Sequence, residues 1–176
     1  MTTVITLSGK GQHGKDMSAN IMKEIFESNG KKVIIIHYAD YLKFIAKEYF
    51  GWSGEKDEKG RSLLQWLGTD KIRKVMPDFW VDIVVSFIKA FETDYDYFLI
   101  PDSRFENELT AIKENFDTLS IHVTRLNFDN RMTDEQKSHI SETALDKHRF
   151  DWYIQSETGR DNLAVEIDKM ISYYQL

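Results

Sequence analysis

Residues 9–16 of the 176-residue chain read Gly-Lys-Gly-Gln-His-Gly-Lys-Asp and follow the apolar run Thr3-Val4-Ile5-Thr6-Leu7. These residue types at this spacing suit a loop that binds phosphate. Gly9 allows a sharp turn, and Gly14 lets the backbone curl around an anion with no Cβ in the way. Backbone N–H groups then point inward, at the positive end of a following helix that carries Ile21, Met22, Ile25 and Phe26 on one face. Lys15 brings a mobile ammonium to the β- and γ-phosphates. The alternative, a glycine-rich turn with a surface lysine, is disfavoured by the strand before it and the helix after it. The nucleotide-phosphate site is therefore expected at Gly9, Lys10, Gly11, Gln12, His13, Gly14, Lys15, Asp16 and Met17.

The position after the lysine is usually Ser or Thr, whose hydroxyl ligates Mg²⁺; here it is Asp16. A carboxylate can hold Mg²⁺ directly or through water. Alternatively, Asp16 only offers a negative charge to the helix start. The metal role is favoured, and Ser18 lies too far along to replace it.

A second constellation is Pro101-Asp102-Ser103-Arg104-Phe105-Glu106-Asn107-Glu108, which follows the apolar run Tyr97-Phe98-Leu99-Ile100. A strand ending in Asp resembles the Walker B position, where a carboxylate orients Mg²⁺. Ser103 stands where hydrolytic motors place a water-activating Glu, which favours transfer to an acceptor over hydrolysis. Arg104 is placed to clamp a phosphate with its planar fork. The competing reading is a structural Asp102–Arg104 salt bridge. Arg125 and Arg131 lie in the charged segment 125–147 and would close over phosphates as a lid; a solvated surface loop is the bland alternative. There is no Asn-Lys-x-Asp guanine-reading element. The five histidines form no metal-ligand set: His37 and His122 are expected to be framework residues, and His13 would at most touch phosphate. Trp80 is expected in the core, with its indole edge able to border a base.

The elements that must position these groups alternate. Strands are expected at 3–8, 32–38, 97–100, 119–124 and 152–154. Helices are expected from the loop to 28, at 40–50, 61–66, 69–75, from Pro77 to 91, at 105–115, and at the C-terminal end with Leu163, Ile167, Met170, Ile171 and Tyr174 on one stripe. Pro77 suits the first turn of its helix. Residues 51–60 read as polar loop. This order predicts a three-layer α/β sandwich, a five-stranded parallel sheet with helices on both faces and the ligand at the carboxyl ends of the strands. One domain over 1–176 is expected, with a substrate-binding helical segment at about 39–92 and a lid at about 125–147. The net charge of −6 argues against general affinity for nucleic acid. The absence of cysteine excludes disulfides and thiolate chemistry. With no signal peptide and no run near the ~18 apolar residues of a membrane span, a cytoplasmic location is expected. The outer face of the 77–91 helix would serve a homodimer.

Together these motifs resemble the deoxynucleoside monophosphate kinases of bacteriophages, within the P-loop kinase superfamily. Gly14-Lys15-Asp16 replaces Gly-Lys-Ser/Thr as in that family. Tyr38-Ala39-Asp40-Tyr41-Leu42-Lys43 is similar to its Phe-Ala-Asp-Pro-Leu-Lys, with Tyr41 in place of proline. Leu64-Gln65-Trp66-Leu67-Gly68-Thr69, then Arg73 and Trp80, is similar to its Leu-Gln-x-x-Gly-Thr…Arg…Trp segment. Asp102-Ser103-Arg104-Phe105-Glu106-Asn107-Glu108 is similar to Asp-Val-Arg-Phe-x-Asn-Glu, and Ser141-Glu142 to a Ser-Glu pair after the lid. The resemblance implies a P-loop kinase-type fold and ATP- and Mg²⁺-dependent phosphorylation of a dNMP. Lys15, Arg104, Arg125 and Arg131 would be the catalytic cations, and Asp16 and Asp102 would manage the metal. Asp40, Lys43, Gln65, Arg73, Trp80, Arg104 and Glu108 would bind the acceptor, and the 155–159 loop would border adenine. The rivals are a phosphomevalonate kinase-like enzyme, which shares several of these elements, and a non-catalytic nucleotide-binding regulator.

Overall fold

The computed structural model describes residues 2–129 and 132–176. Five strands, β1 (Thr3–Ser8), β2 (Val33–Ile35), β3 (Tyr97–Ile100), β4 (Asp117–Arg125) and β5 (Trp152–Ser156), form one parallel sheet in the order β2-β3-β1-β4-β5. The register pairs Thr3 with both Tyr97 and Asp117, and Ile121 with Trp152. Parallel strands need crossovers, and helices supply them: α1 (Lys15–Ser28), α2 (Ala39–Phe50), α3 (Glu58–Gln65), α4 (Phe79–Phe91), α5 (Glu106–Asn115) and the short α6 (Asp134–Ser138) and α7 (Ile140–Thr143); α8 (Arg160–Tyr174) follows the last strand.

The two-residue period of the strands sorts side chains between two cores. Ile5, Leu7, Tyr97 and Leu99 pack with Ile21, Met22 and Phe26 of α1 and Leu163, Ile167 and Met170 of α8. Val4, Phe98 and Ile100 pack with Trp80, Val84 and Ile88 of α4 and Ile112 of α5. Each fully buried Ile, Leu or Phe contributes on the order of 1.5–3 kcal/mol, so the sheet holds a rigid frame under its carboxyl edge. Phe26 and Tyr97 stack with centroids 4.2 Å apart. On α4 the stripe Ile83, Phe87 and Phe91 stays partly exposed beside the buried one. No helix among the described residues is long and apolar enough to cross a membrane.

β4 and β5 run slightly beyond the expected 119–124 and 152–154, and five larger departures follow. β2 covers only Val33–Ile35, because the chain bends at His37 and Tyr38 to begin α2. Helix α3 begins at Glu58, not Arg61, because Asp57 caps it by accepting from the Gly60 N–H at 2.7 Å. The two helices expected at 61–66 and 69–75 are continuous: α3 runs directly into a π-helical segment, Trp66–Arg73. Pro77 precedes α4 rather than sitting in its first turn. The 125–147 segment contains α6 and α7 and is not wholly irregular; Thr133 caps α6 in a reciprocal capping box with Gln136.

Candidate active site

The site is built where β1 ends, at the point where the strand order reverses. Gly9 turns with φ +135°, and a Cβ there would lie 2.3 Å from the Val123 carbonyl oxygen, so the loop passes β4 only because Gly9 has none. Gly14 has φ +96°, and no side chain caps the first turn of α1, whose positive end faces the loop. Lys15 folds back into the loop and donates to the carbonyls of Gly9 and Lys10, both at 2.8 Å. Only 6% of it is exposed. Burial, then the nearby Arg104, pulls its pKa down to about 7.

Beyond the loop opens a cavity of about 320 Å³. Its walls come from the loop (Gly11, Gln12, Lys15, Asp16), from α2 (Leu42, Lys43), and from the π-helical segment and the turn before it (Gln65, Gly68, Thr69, Arg73). The exit of β3 (Asp102, Arg104, Phe105) and Met132, Ser141 and Glu142 complete them. The expected phosphate loop and most of the expected acceptor residues therefore meet at one cavity, although they are spread over more than 100 positions of the chain.

Several of these residues are held by other protein groups. Both oxygens of Asp102 accept backbone N–H groups, from Tyr38 and Ala39 at 3.0 Å each, so Asp102 ties the start of α2 to the exit of β3. Arg73 is held by its two terminal nitrogens, while its buried Nε has no hydrogen-bond partner among the described residues. Its guanidinium donates to Glu108 Oε1 at 2.5 Å, to Asn107 at 3.2 Å and to the Pro77 carbonyl at 3.3 Å, and lies 4.0 Å over the Phe105 ring. Glu108 is 2% exposed, and its other oxygen takes the N–H groups of Arg104 and Phe105 at 2.6 and 3.1 Å. Burial pushes its carboxyl up, against the pull of Arg73 and these amides. Arg73 and Glu108 thus act as a brace that sets the Arg104 backbone. The indole N–H of Trp80 donates to the Gly68 carbonyl at 3.0 Å and is not offered to a base, although the ring still lines the cavity. Gln65 lines the cavity and reaches the Gln136 carbonyl at 3.5 Å.

Asp40 lies outside the cavity lining. It accepts from the His37 backbone N–H at 3.1 Å, contacts His37 Nδ1 at 3.1 Å and receives Lys43 Nζ at 3.0 Å. His37, expected as framework, is a site residue that sequence reasoning missed. Its Nε2 meets Asp16 at 3.1 Å while Nδ1 meets Asp40, so one imidazole bridges the loop to α2. These two contacts, Asp16 first, raise its pKa to about 9. Burial pushes the Asp40 carboxyl up, but the bonds from His37 and Lys43 outweigh it and hold Asp40 well below the usual range.

Arg125 points away from the cavity: its Nε donates to Thr158 at 2.9 Å and its guanidinium lies 4.0 Å over the Phe128 ring, beside the loop after β5. The His13 ring accepts from the Arg125 N–H at 3.2 Å and meets Phe128 edge-on. Met17 is 45% exposed and lies off the cavity. Arg131 lies outside the described residues. Lys10 donates to the Glu142 carbonyl at 2.6 Å and pairs with Asp146. Glu142 itself pairs with Arg104 and accepts from the Gly11 N–H at 2.9 Å, so a carboxylate of the chain sits between the loop and Arg104. Lys56 and Arg61 also line the cavity, which the polar character of 51–60 did not foretell.

A glycine-rich strand-to-helix loop on a β2-β3-β1-β4-β5 parallel sheet, its lysine turned into the loop, defines a P-loop kinase fold. Solved structures of that fold match along nearly the whole chain. The Mycobacterium tuberculosis APS kinase CysC, in complex with AMPPNP and APS, gives a TM-score of 0.53 at 10% identity over 97% of this chain and 98% of that one. An unliganded sugar kinase from Janibacter sp. HTCC2649 gives 0.58 at 13% identity over 99% and 95%. Within the fold the sequence is more specific: the model of the deoxynucleotide monophosphate kinase family matches residues 28–167, and the chain belongs to that family. The deoxynucleotide monophosphate kinase of Enterobacteria phage T4 is 36% identical over 67 residues, 37% of this chain; the match spans 27% of the phage protein's length.

Proposed function

We propose that the chain transfers the γ-phosphoryl group of ATP directly to a deoxynucleoside monophosphate, giving ADP and a dNDP. The observation that carries this reading is one cavity lined both by the glycine-rich loop, through Gly11, Gln12, Lys15 and Asp16, and by the cationic side chains of Lys43 and Arg104. Family membership supports it, and so does the nucleotide-bound relative of the same fold. The attacking phosphate oxygen of the acceptor is already a nucleophile, so the protein's work is positioning and charge. Lys15 would meet the β- and γ-oxygens, and Arg104 would turn from Glu142 to the phosphates. The 125–147 segment, tied to the loop through Lys10 and Glu142, would act as lid, and Arg125 and Thr158 would border adenine.

Mg²⁺ fits this site through Asp16. Its side chain is 72% exposed at the loop, ionised, and a hard oxygen donor for a cation that keeps most of its waters and is shared with phosphates. Asp102, with both oxygens on backbone amides, is suited to anchor α2 and to a water-bridged role. When bound, the metal would offset charge on the bridging phosphate oxygens.

A coupled ADP-release assay across dNMPs, rNMPs and phosphomevalonate tests the proposal. Turnover that requires a dNMP is expected. Turnover only with phosphomevalonate would replace the acceptor, and ATP binding without transfer to any acceptor would leave a regulator.

A further inference from the structure

The deoxynucleotide reading leaves open which cations receive the acceptor's phosphate, and Arg73, the arginine expected there, is already engaged. Its guanidinium is divided among Glu108, Asn107, the Pro77 carbonyl and the Phe105 ring. Breaking a buried pair of this kind strands a charge and is strongly unfavourable, so Arg73 is not free to turn to a ligand. We propose that Lys56 and Arg61, together with Lys43, form the cradle for the acceptor's phosphate. This rests on the reading of the cavity as a dNMP site.

Three observations carry it. Lys43, Lys56, Arg61 and Arg104 all line the same cavity. Lys43 is paired with Asp40 and Arg104 with Glu142, whereas among the described residues neither Lys56 nor Arg61 forms an ion pair. Lys56 and Arg61 feel the repulsion of Lys43 and Arg104 at the same cavity, and a phosphate there would relieve it. The proton affinity of Lys56 reflects it: burial lowers it first, then Lys43, with Arg61 and Arg104 adding to the effect against Asp16.

The segment that carries Lys56 is also built, not loose. The Trp52 indole N–H donates to the Glu55 carbonyl at 2.8 Å, and Asp57 caps α3. Gly60 has no room for a Cβ, which would lie 2.1 Å from the Glu55 carbonyl oxygen and 2.7 Å from Trp52 Nε1. This packing sets Lys56 at the rim just before α3, and Arg61 follows in its first turn. An ammonium and a planar guanidinium converging on one phosphate give both charge and orientation.

The test compares Lys56→Gln, Arg61→Gln and the double variant with the wild-type protein. The exposed Lys47→Gln on α2 controls for net charge. In the coupled assay the double variant should raise the dNMP KM by at least ~10-fold and leave the ATP KM within about twofold, with Arg61→Lys recovering part of the loss. Calorimetry with each dNMP and its nucleoside isolates the phosphate: its contribution to affinity should shrink in the variants, while nucleoside binding holds. An unchanged dNMP affinity in a variant of native melting temperature would overturn the proposal. So would equal losses for dNMP and nucleoside, or a matching loss for ATP. If the wild-type protein phosphorylates no dNMP, the functional reading fails by itself, and the nucleotide–nucleoside comparison still decides whether the cradle exists.

Discussion

At the scale of single residues, protonation makes the site legible. Lys15 is buried in its own loop, and its pKa of about 7 lies far below the ordinary 10.5. A buried lysine of this kind costs the free protein stability while charged. That cost is fully present below about pH 7 and fades toward pH 10.5, where the unfolded chain also loses the proton. A bound polyphosphate supplies the missing anion and restores the charge. Binding of ATP at pH 8 should therefore take up a substantial fraction of one proton. Calorimetry in two buffers of different ionisation enthalpy measures this, and Lys15→Met should abolish it. Lys15→Ala should lower turnover at least ~100-fold at an unchanged fold, since the charge it meets builds on the transferred group. His37 has the opposite sign. Its pKa is raised from 6.5 to about 9 between Asp16 and Asp40, so its stabilisation is complete below about pH 6.5 and is lost as pH rises through 9. Thermal melts between pH 7 and 10 should fall less steeply for His37→Asn than for the wild-type protein; parallel curves would remove the bridge from the account.

At the scale of elements, the loop after β1 and the segment before α3 depend on different glycines. Gly9 lets the phosphate loop pass the Val123 carbonyl of β4, so Gly9→Ala should weaken ATP binding and lower the melting temperature together. Gly60 instead lets the 52–57 segment pack on the first turn of α3. Gly60→Ala must displace that segment, and with it Lys56. The acceptor KM should rise by ~10-fold or more while the ATP KM moves little; steady-state kinetics with each substrate varied in turn separates the two outcomes. The π-helical segment after α3 matters in the same way. It sets the Gly68 carbonyl against the Trp80 indole and places Thr69 and Arg73 on the cavity, a common use of π-turns at functional sites.

At the scale of the whole molecule, two apolar cores hold the sheet rigid beneath a site whose parts come from both ends of the chain. The phosphate loop lies on β1, the brace Arg73–Glu108 joins the π-helical segment to α5, and Glu142 reaches back to Gly11 and Arg104. Binding at such a site acts on the folding equilibrium as a unit. ATP with magnesium at about 100 times its Kd should add about 2.7 kcal/mol, a rise of roughly 5–10 °C in melting temperature for a chain of this size. A melting curve indifferent to nucleotide would count against the loop as a phosphate site.

The sequence by itself determined the phosphate loop, the alternation that makes a parallel α/β sandwich, and the order of the short motifs around the cavity. Each is a local pattern: glycine spacing sets backbone freedom, and apolar period sets strand or helix. It also singled out Lys43, Gln65, Trp80 and Arg104, which the structure gathers on the lining of one cavity because the topology brings the ends of their elements together. Only the tertiary structure decided which charges are spent. Arg73 and Glu108 are expected alike as acceptor ligands, yet they neutralise one another. His37 reads as framework, yet it bridges two carboxylates. Asp57 and Gly60 begin α3 earlier than periodicity predicts and carry Lys56 and Arg61 to the cavity. Pairing depends on which long side chains meet across 35 or more positions of chain, as Arg73 and Glu108 do, and spacing along the chain carries no record of that.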